Sequence, residues 1–213
     1  LEKAEDFDTA LHDLVCKAFT DHQRIIFDGN GYSDEWKQEA ARRGLSNLAS
    51  TAECLPAYIS AKNVELVTKH GIYTEAEFLA RYSIYLDAYN KVVNIEARTM
   101  VDMALHQILP AALHYTHALC EGIANKKALG SSCRAESKLV ERLSAATDAL
   151  FDNVEKLKLD LEVMPQDAKA RAEYIHGTIT ADMNAVRAEA DLLEQLTDKS
   201  YWPYPTYSDL LFY

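Results

Sequence analysis

The chain has few glycines, prolines and cysteines, and no low-complexity stretch. Seven glycines and five prolines, with 48% hydrophobic and 26% charged residues, indicate a globular protein of 213 residues. The four cysteines, at positions 16, 54, 120 and 133, show no CxxC or other metal-ligand spacing. We therefore expect free thiols in a reducing cytosol, and hence a cytoplasmic protein, rather than a disulfide framework.

Long apolar runs and basic tracts are also missing. No run approaches the ~20 apolar residues that span a bilayer, and no secretory signal opens the chain. The net charge is −11, and no basic tract of five or more residues interrupts it. A phosphate backbone would be repelled, so we expect neither nucleic acid nor a membrane as a partner. The first residue is Leu1 rather than Met, which predicts a piece of a longer protein.

What the chain does contain is helical periodicity, which predicts an all-α fold. Ser33 and the capping box from Thr74 to Glu77 predict helix starts, while Gly44 and Gly71 predict helix ends. Pro110 predicts a kink or a break. The expected helices are 5–22, 33–43, 47–58, 61–70, 74–125, 133–163 and 166–198.

The later helices carry long apolar stripes. The stripe on 133–163 has steps of three and four residues, and the helix after Thr74 has two stripes, which indicates packing against more than one neighbour. The pattern predicts an elongated bundle of long helices with several shorter N-terminal helices. Strands are nearly absent from the pattern, and residues 24–27 are the one candidate. The two glycines in residues 28–31 allow positive φ and so predict a tight turn.

No pattern predicts an active site. Asp28, Asn30, Asp34 and Glu39 echo a calcium loop, but Ser33 replaces its required glycine, so a turn and a capped helix are favoured. The pairs Asp102/His106 and His114/His117 lack a third metal ligand, and no nucleophile or paired catalytic carboxylates stand out. We predict no catalytic, cofactor-binding or metal-binding residues in this chain.

The last thirteen residues, 201–213, carry six aromatic side chains. A disordered terminus is poor in aromatics, whereas each aromatic buried here would remove roughly 150–250 Å² from water. The segment therefore predicts an aromatic tail (residues 201–213) that docks onto something. The docking candidates are Trp202, Tyr204, Tyr207 and Phe212.

Four segments resemble the type III glutamine synthetases, and together they span almost the whole chain in the order of that family. They begin with RIIFDGNGYSDEW at 24–36 and end with WPYPTY at 202–207 followed by DLLF at 209–212. The second segment is SAKNVEL at 60–66 leading to TEAEF at 74–78, and the third is NIEARTMVDM at 94–103 with ILP at 108–110. None of the catalytic motifs of that family is present.

The resemblance implies that 1–45 is the end of the catalytic domain and that 46–213 is the helical C-terminal region peculiar to type III enzymes. These enzymes join ammonia to glutamate with ATP and Mg²⁺ or Mn²⁺, in nitrogen assimilation, and they work as double-ringed dodecamers. The implied partners of this chain are the upstream catalytic domain and the other subunits. The chain itself is expected to be inactive and to serve assembly or regulation.

A different class of function stays open. The chain could be a free-standing helical scaffold or adaptor that shares ancestry with the family and has no enzymatic role. The residues that precede Leu1 in the source gene distinguish the two, because a glutamine synthetase barrel there excludes the adaptor.

Overall fold

The structure, a computed structural model, describes residues 6–211 and is helical almost throughout, with no strand in that range. This confirms the predicted all-α class. The helices are α1 Phe7–Asp21, α2 Asp34–Arg42, α3 Thr51–Tyr58, α4 Ala61–Lys69, α5 Glu75–Met103, α6 Leu109–Ala128, α7 Arg134–Glu162, α8 Ala168–Tyr174, α9 Thr180–Leu196 and α10 Tyr207–Leu211. A 3₁₀ turn covers Gln23–Ile25, and π-helical turns cover Ala104–Ile108 and Ile175–Ile179.

The chain divides into two compact units, one ending at Ala49 and the other beginning at Ser50. The first unit contains α1 and α2, and the second contains all later helices. The predicted boundary after residue 45 concerns the domains of a longer enzyme and stays a prediction.

Most helix ends follow the local signals in the sequence. The Trp36 N–H donates to the Ser33 hydroxyl (3.3 Å), and Thr74 and Glu77 form the reciprocal bonds of the capping box. Gly44 and Gly71 have φ values of +69° and +63° directly after α2 and α4. These predictions are confirmed, because a cap or a left-handed glycine depends only on its neighbours in the chain.

The helix predicted to start at residue 47 starts at Thr51 instead. A second capping box, between Ser50 and Glu53, sets this start: the Glu53 N–H donates to the Ser50 hydroxyl at 3.2 Å, and the Ser50 N–H donates to the Glu53 carboxylate at 3.0 Å. The box satisfies two of the N–H groups that a helix start leaves unpaired.

The segment before α2 differs from its prediction. The 3₁₀ turn Gln23–Ile25 covers the first half of the candidate strand 24–27, and the other half is irregular. Neither Gly29 nor Gly31 has a positive φ. Gly29 has another reason to be glycine, since a Cβ there would lie 2.7 Å from the ring of Phe27. That ring stacks on Trp36 with centroids 4.1 Å apart.

The core of the second unit is an apolar seam along α7, which packs mainly against α9 and α6. Its members are buried, as the stripe on 133–163 predicts: Leu143, Ala146, Leu150, Val154, Leu157 and Leu161. The facing residues on the α9 side are Ile175, Ile179, Val186 and Leu193.

Pro110 does not break the helix in which it lies. The helical run continues from α5 through the first π turn into α6, where Pro110 is the second residue. The Leu109 N–H donates to the Ala104 carbonyl, five residues earlier. Because proline lacks an N–H and crowds the carbonyl four residues earlier, a wider turn next to it keeps the run intact.

A charged contact joins α7 to α9. Lys156 donates to Asp160 (2.9 Å) on its own helix and to the buried Asp182 on α9. The Tyr174 hydroxyl donates to Asp160 (3.1 Å). The bond from Lys156 lowers the pKa of Asp160, whereas burial raises the pKa of Asp182. The contact therefore joins α7 to α9 through a buried carboxylate, and the cost of burying that charge offsets part of what the ion pair gains.

We predict that Leu150→Ala lowers the free energy of unfolding by about 2–5 kcal/mol, because it leaves a cavity in the α7 seam. Leu159→Ala on the same helix is the control, since that side chain is 69% exposed and its loss should cost less than about 0.5 kcal/mol. Urea unfolding of both variants measures the difference. Equal losses would show that the seam is not the core.

Candidate docking site of the aromatic tail

A turn at residues 197–201 ends α9 and leads into the aromatic tail. The Thr197 N–H donates to the Leu193 carbonyl at 2.9 Å. The carboxylate of Asp198 accepts from the Ser200 N–H at 2.8 Å, and its carbonyl accepts from the Tyr201 N–H at 2.9 Å. Bonding to Ser200 lowers the pKa of Asp198. The turn therefore connects α9 to the tail, and the backbone N–H groups of Thr197, Ser200 and Tyr201 are all hydrogen-bonded within it.

Trp202 and Tyr204 lie half-buried against the core that α7 and α9 form, so the tail docks on the bundle of its own chain. Tyr201 packs on Tyr115 of α6 with ring centroids 5.2 Å apart. Burial raises the pKa of the Tyr204 hydroxyl, and the negative charge of Asp102 on α5 raises it further. The tail thus lies within reach of both α5 and α6.

Two polar atoms of the docked tail are buried without a hydrogen-bond partner among the described residues. They are the Trp202 Nε1 and the Tyr204 hydroxyl oxygen. Burying such a group unpaired costs free energy, so the apolar area of the two rings has to outweigh that cost.

The short helix α10 forms the last described part of the tail, and its start is capped by side chains. The Asp209 N–H donates to the Thr206 hydroxyl (3.3 Å), and the Asp209 carboxylate accepts from the Thr206 N–H (2.9 Å). Lys199 forms an ion pair with the same carboxylate. The bond from Lys199, with those from Thr206, lowers the pKa of Asp209 to about 2.

The structure describes the four predicted docking residues to different extents. The structure places Trp202 and Tyr204 on the bundle of their own chain. The sequence alone could not distinguish such an internal contact from a contact with a neighbouring subunit. Tyr207 is the first residue of α10, but only its backbone is described, and Phe212 lies outside the described residues. Whether any of the four contacts another subunit stays a prediction.

Sequence reasoning missed the residues that hold the tail in place. Thr206 and Asp209 have the spacing of a capping box, so a local signal for them was present. The pairing of Tyr115 with Tyr201 joins residues far apart in the chain, and no local pattern marks it.

The other candidate sites consist of locally paired side chains. His106 pairs with Asp102 at 2.9 Å, and both side chains are more than half exposed. At the calcium-like loop, Asn30 accepts from the Tyr32 N–H (3.0 Å) and Glu39 pairs with Arg42 (2.6 Å). Between residues 6 and 211 no three His, Cys, Asp or Glu side chains come together as a metal site.

In the same range no helix is both long and apolar enough to cross a bilayer.

Two open grooves flank the C-terminal half of α5. One, of about 530 Å³, lies towards α7 and has Arg98, His106 and Lys158 at its rim. The other, of about 480 Å³, lies towards α9 and is lined mainly by apolar residues, Met100, Met103 and Met183 among them, with Glu96, Arg187 and Asp191 also in its lining. The second groove has the character of a surface that receives apolar side chains.

Comparison with known proteins gives consistent matches. A family model described as glutamine synthetase C-terminal domain matches residues 10–127. The chain is 37% identical over 195 residues, 90% of its length, to a glutamine synthetase of Butyrivibrio fibrisolvens. It is 29% identical over 99% of its length to a type-3 glutamine synthetase of Dictyostelium discoideum, and 30% identical over its whole length to a glutamine synthetase of Bacteroides fragilis. It spans only 28–30% of each relative, at the C-terminal end.

We predict that Trp202→Ala lowers the free energy of unfolding of this chain by about 2 kcal/mol, since it removes a half-buried ring from the bundle. Leu211→Ala in the same tail is the control, because that side chain is 74% exposed. Thermal melting at several protein concentrations measures both, and truncation after Lys199 extends the test to the whole tail. A loss of assembly with no change in melting temperature would contradict docking within the chain.

The lowered pKa of Asp209 predicts a pH-dependent contribution to stability. An acid whose pKa falls on folding stabilises the fold above its ordinary pKa, here 3.8, and loses that contribution as the pH falls to about 2. The melting temperature should therefore exceed that of Asp209→Asn at pH 7, and the difference should shrink towards pH 2. Ser208→Asn, an exposed change in the same helix, should show no such trend. A difference that grows on acidification would contradict the assignment.

Proposed function

The chain belongs to the family of glutamine synthetase C-terminal domains, and from this premise we propose that it serves subunit assembly or its regulation in a type III glutamine synthetase. The longer enzyme would be a cytoplasmic glutamate–ammonia ligase of nitrogen metabolism. Its subunits would form the double-ringed dodecamer that the resemblance implies. This chain would contribute contacts rather than chemistry.

The reaction itself is proposed for the part of the enzyme that lies upstream. The resemblance implies ATP and Mg²⁺ or Mn²⁺, and such ions are held by clustered carboxylates and substrate phosphates. Residues 6–211 bring together no such cluster, so the donor set does not fit the metals. We assign no catalytic step to this chain.

One observation supports assembly more than any other: α5 presents apolar side chains to solvent on the face opposite its buried residues. Ile84, Val92 and Ile95 are 64%, 51% and 63% exposed. Their spacing of eight and three residues places them on one side of the helix. The stripe continues into the 480 Å³ groove, which Ile95 also lines. Exposed apolar side chains that share one face of a helix support a protein–protein contact there.

The tail contributes to this proposal indirectly. Trp202 and Tyr204 are occupied by the bundle, so they are poor candidates for a contact with a second subunit. The exposed stripe on α5 is the better one, since it lies on a long helix that the core holds in place.

The absence of chemistry in this chain is directly testable. Incubated with glutamate, ammonia, ATP and Mg²⁺ or Mn²⁺, the 213-residue chain should form no glutamine, while the longer protein from the same gene should form it. The sequence upstream of Leu1 should encode a glutamine synthetase barrel. Turnover by the chain alone, or a gene without that barrel, would overturn the proposal.

Assembly is tested in the longer protein by Ile95→Glu, which places a charge in the exposed stripe. We expect sedimentation to shift to smaller species, because a buried, unpaired carboxylate opposes association. Leu159→Glu on α7 is the control, since it places the same carboxylate at an exposed apolar site in the other groove, away from the stripe. Unchanged assembly of Ile95→Glu, or of an enzyme that lacks residues 50–213, would contradict a role in assembly.

A further inference from the structure

The exposed stripe on α5 has a charge pattern that is complementary to itself. Along one edge lie Asp87 and Lys91, whose side chains are 60% and 75% exposed, with 3.7 Å between the carboxylate and the ammonium group. A two-fold axis across two antiparallel helices brings the same edge of each copy together. With that axis near residue 89, the acid of each copy lies opposite the base of the other.

The apolar residues of the stripe have the same midpoint. Ile84 and Ile95 lie at equal distances on either side of it, so each isoleucine of one copy lies opposite an isoleucine of the other. Val92 and Tyr85, 51% and 47% exposed, are related in the same way. Ala88 is exposed next to the midpoint, and its single methyl group lets two helices approach closely.

Towards the opposite edge the stripe has a second reciprocal pair. Arg81 and Glu96 are both exposed and lie on either side of the same midpoint. The Arg81 guanidinium lies 4.6 Å from the centroid of the Tyr73 ring, a contact that orients it. Between residues 81 and 96, α5 carries two acids and two bases. Two copies can therefore meet at this surface although the whole chain carries a net charge of −11.

We propose that the exposed stripe on α5 pairs antiparallel with the same stripe of a second copy of this chain. This pairing rests on the proposed function, because it supplies the partner of the same surface. A two-fold contact requires that every pair of opposed residues share one midpoint along the helix. The two charged pairs and the two apolar pairs all meet that condition, which an unrelated partner would not impose.

Exchange of charges between copies tests the pairing in the 213-residue chain. Sedimentation up to roughly 1 mM chain should show reversible dimers, because a contact between two single helices is a small interface. Asp87→Lys and Lys91→Asp should each raise the dissociation constant at least ~10-fold, since both reciprocal contacts become repulsive. An equimolar mixture of the two variants should pair again, because one copy then carries two lysines and the other two aspartates.

General effects of charge are separated by a matched control on α8. Lys169 and Glu173 form an exposed pair with the same four-residue spacing, at 3.8 Å. Glu173→Lys should leave the dissociation constant unchanged and should melt, in dilute solution, at the same temperature as Asp87→Lys. Both changes reduce the net negative charge of the chain, so general repulsion predicts stronger rather than weaker association for each.

Two outcomes would overturn the pairing. One is a 213-residue chain that stays monomeric throughout this range, and the other is a mixture of Asp87→Lys and Lys91→Asp that does not pair. If Ile95→Glu still disrupts assembly of the longer protein in either case, the stripe binds a different surface and the proposed function survives. Unchanged assembly of Ile95→Glu would refute the proposed function itself.

Discussion

The apolar seam along α7 is the constraint on which the unit beginning at Ser50 depends. Its leucines and valine lie between α6 and α9, and the tail aromatics pack against the same cluster. Burial of apolar side chains supplies most of the favourable free energy of folding, so the position of this seam decides which faces remain outside. The outward stripe on α5 is one consequence, because α5 turns Ala97 towards this cluster. On the same helix Leu86 packs in a second, smaller cluster with Leu55 and Ala172.

The two π turns change the rotational phase of the long helical runs that pack on this seam. A helix with 3.6 residues per turn drifts relative to a straight contact, and one extra residue in a turn resets its phase. Ala97 before the first π turn, Ala104 and Ile108 at its two ends, and Ala112 after it are all buried. In the second π turn Ile175 and Ile179 are both fully buried. The turns thus keep one face of each long helical run on the core.

Features that depend on near neighbours could be predicted from the sequence, whereas features that join distant residues could not. The cap at Ser33 and the stripe of α7 involve residues a few positions apart, and the structure confirms both. The expected positive φ at Gly29 and Gly31 is absent, although the chain does turn there, since the Ser33 N–H donates to the Asn30 carbonyl at 3.2 Å. The ring of Phe27 lies against Gly29 and stacks on Trp36, a contact that no local pattern marks. Composition marked the tail as a docking segment, but its partner Tyr115 lies more than eighty residues away in the chain.

Docking of the tail within its own chain affects the entropy cost of the proposed subunit contact. A free aromatic segment would lose much conformational freedom on association, and it could bind many apolar surfaces. With Trp202 and Tyr204 already held by the bundle, that cost is met during folding. The exposed stripe on α5 is instead presented by a helix fixed along 29 residues, so little ordering remains when a second surface meets it. A contact of the proposed kind would gain affinity from this rigidity, and specificity from the fixed spacing of Ile84, Val92 and Ile95.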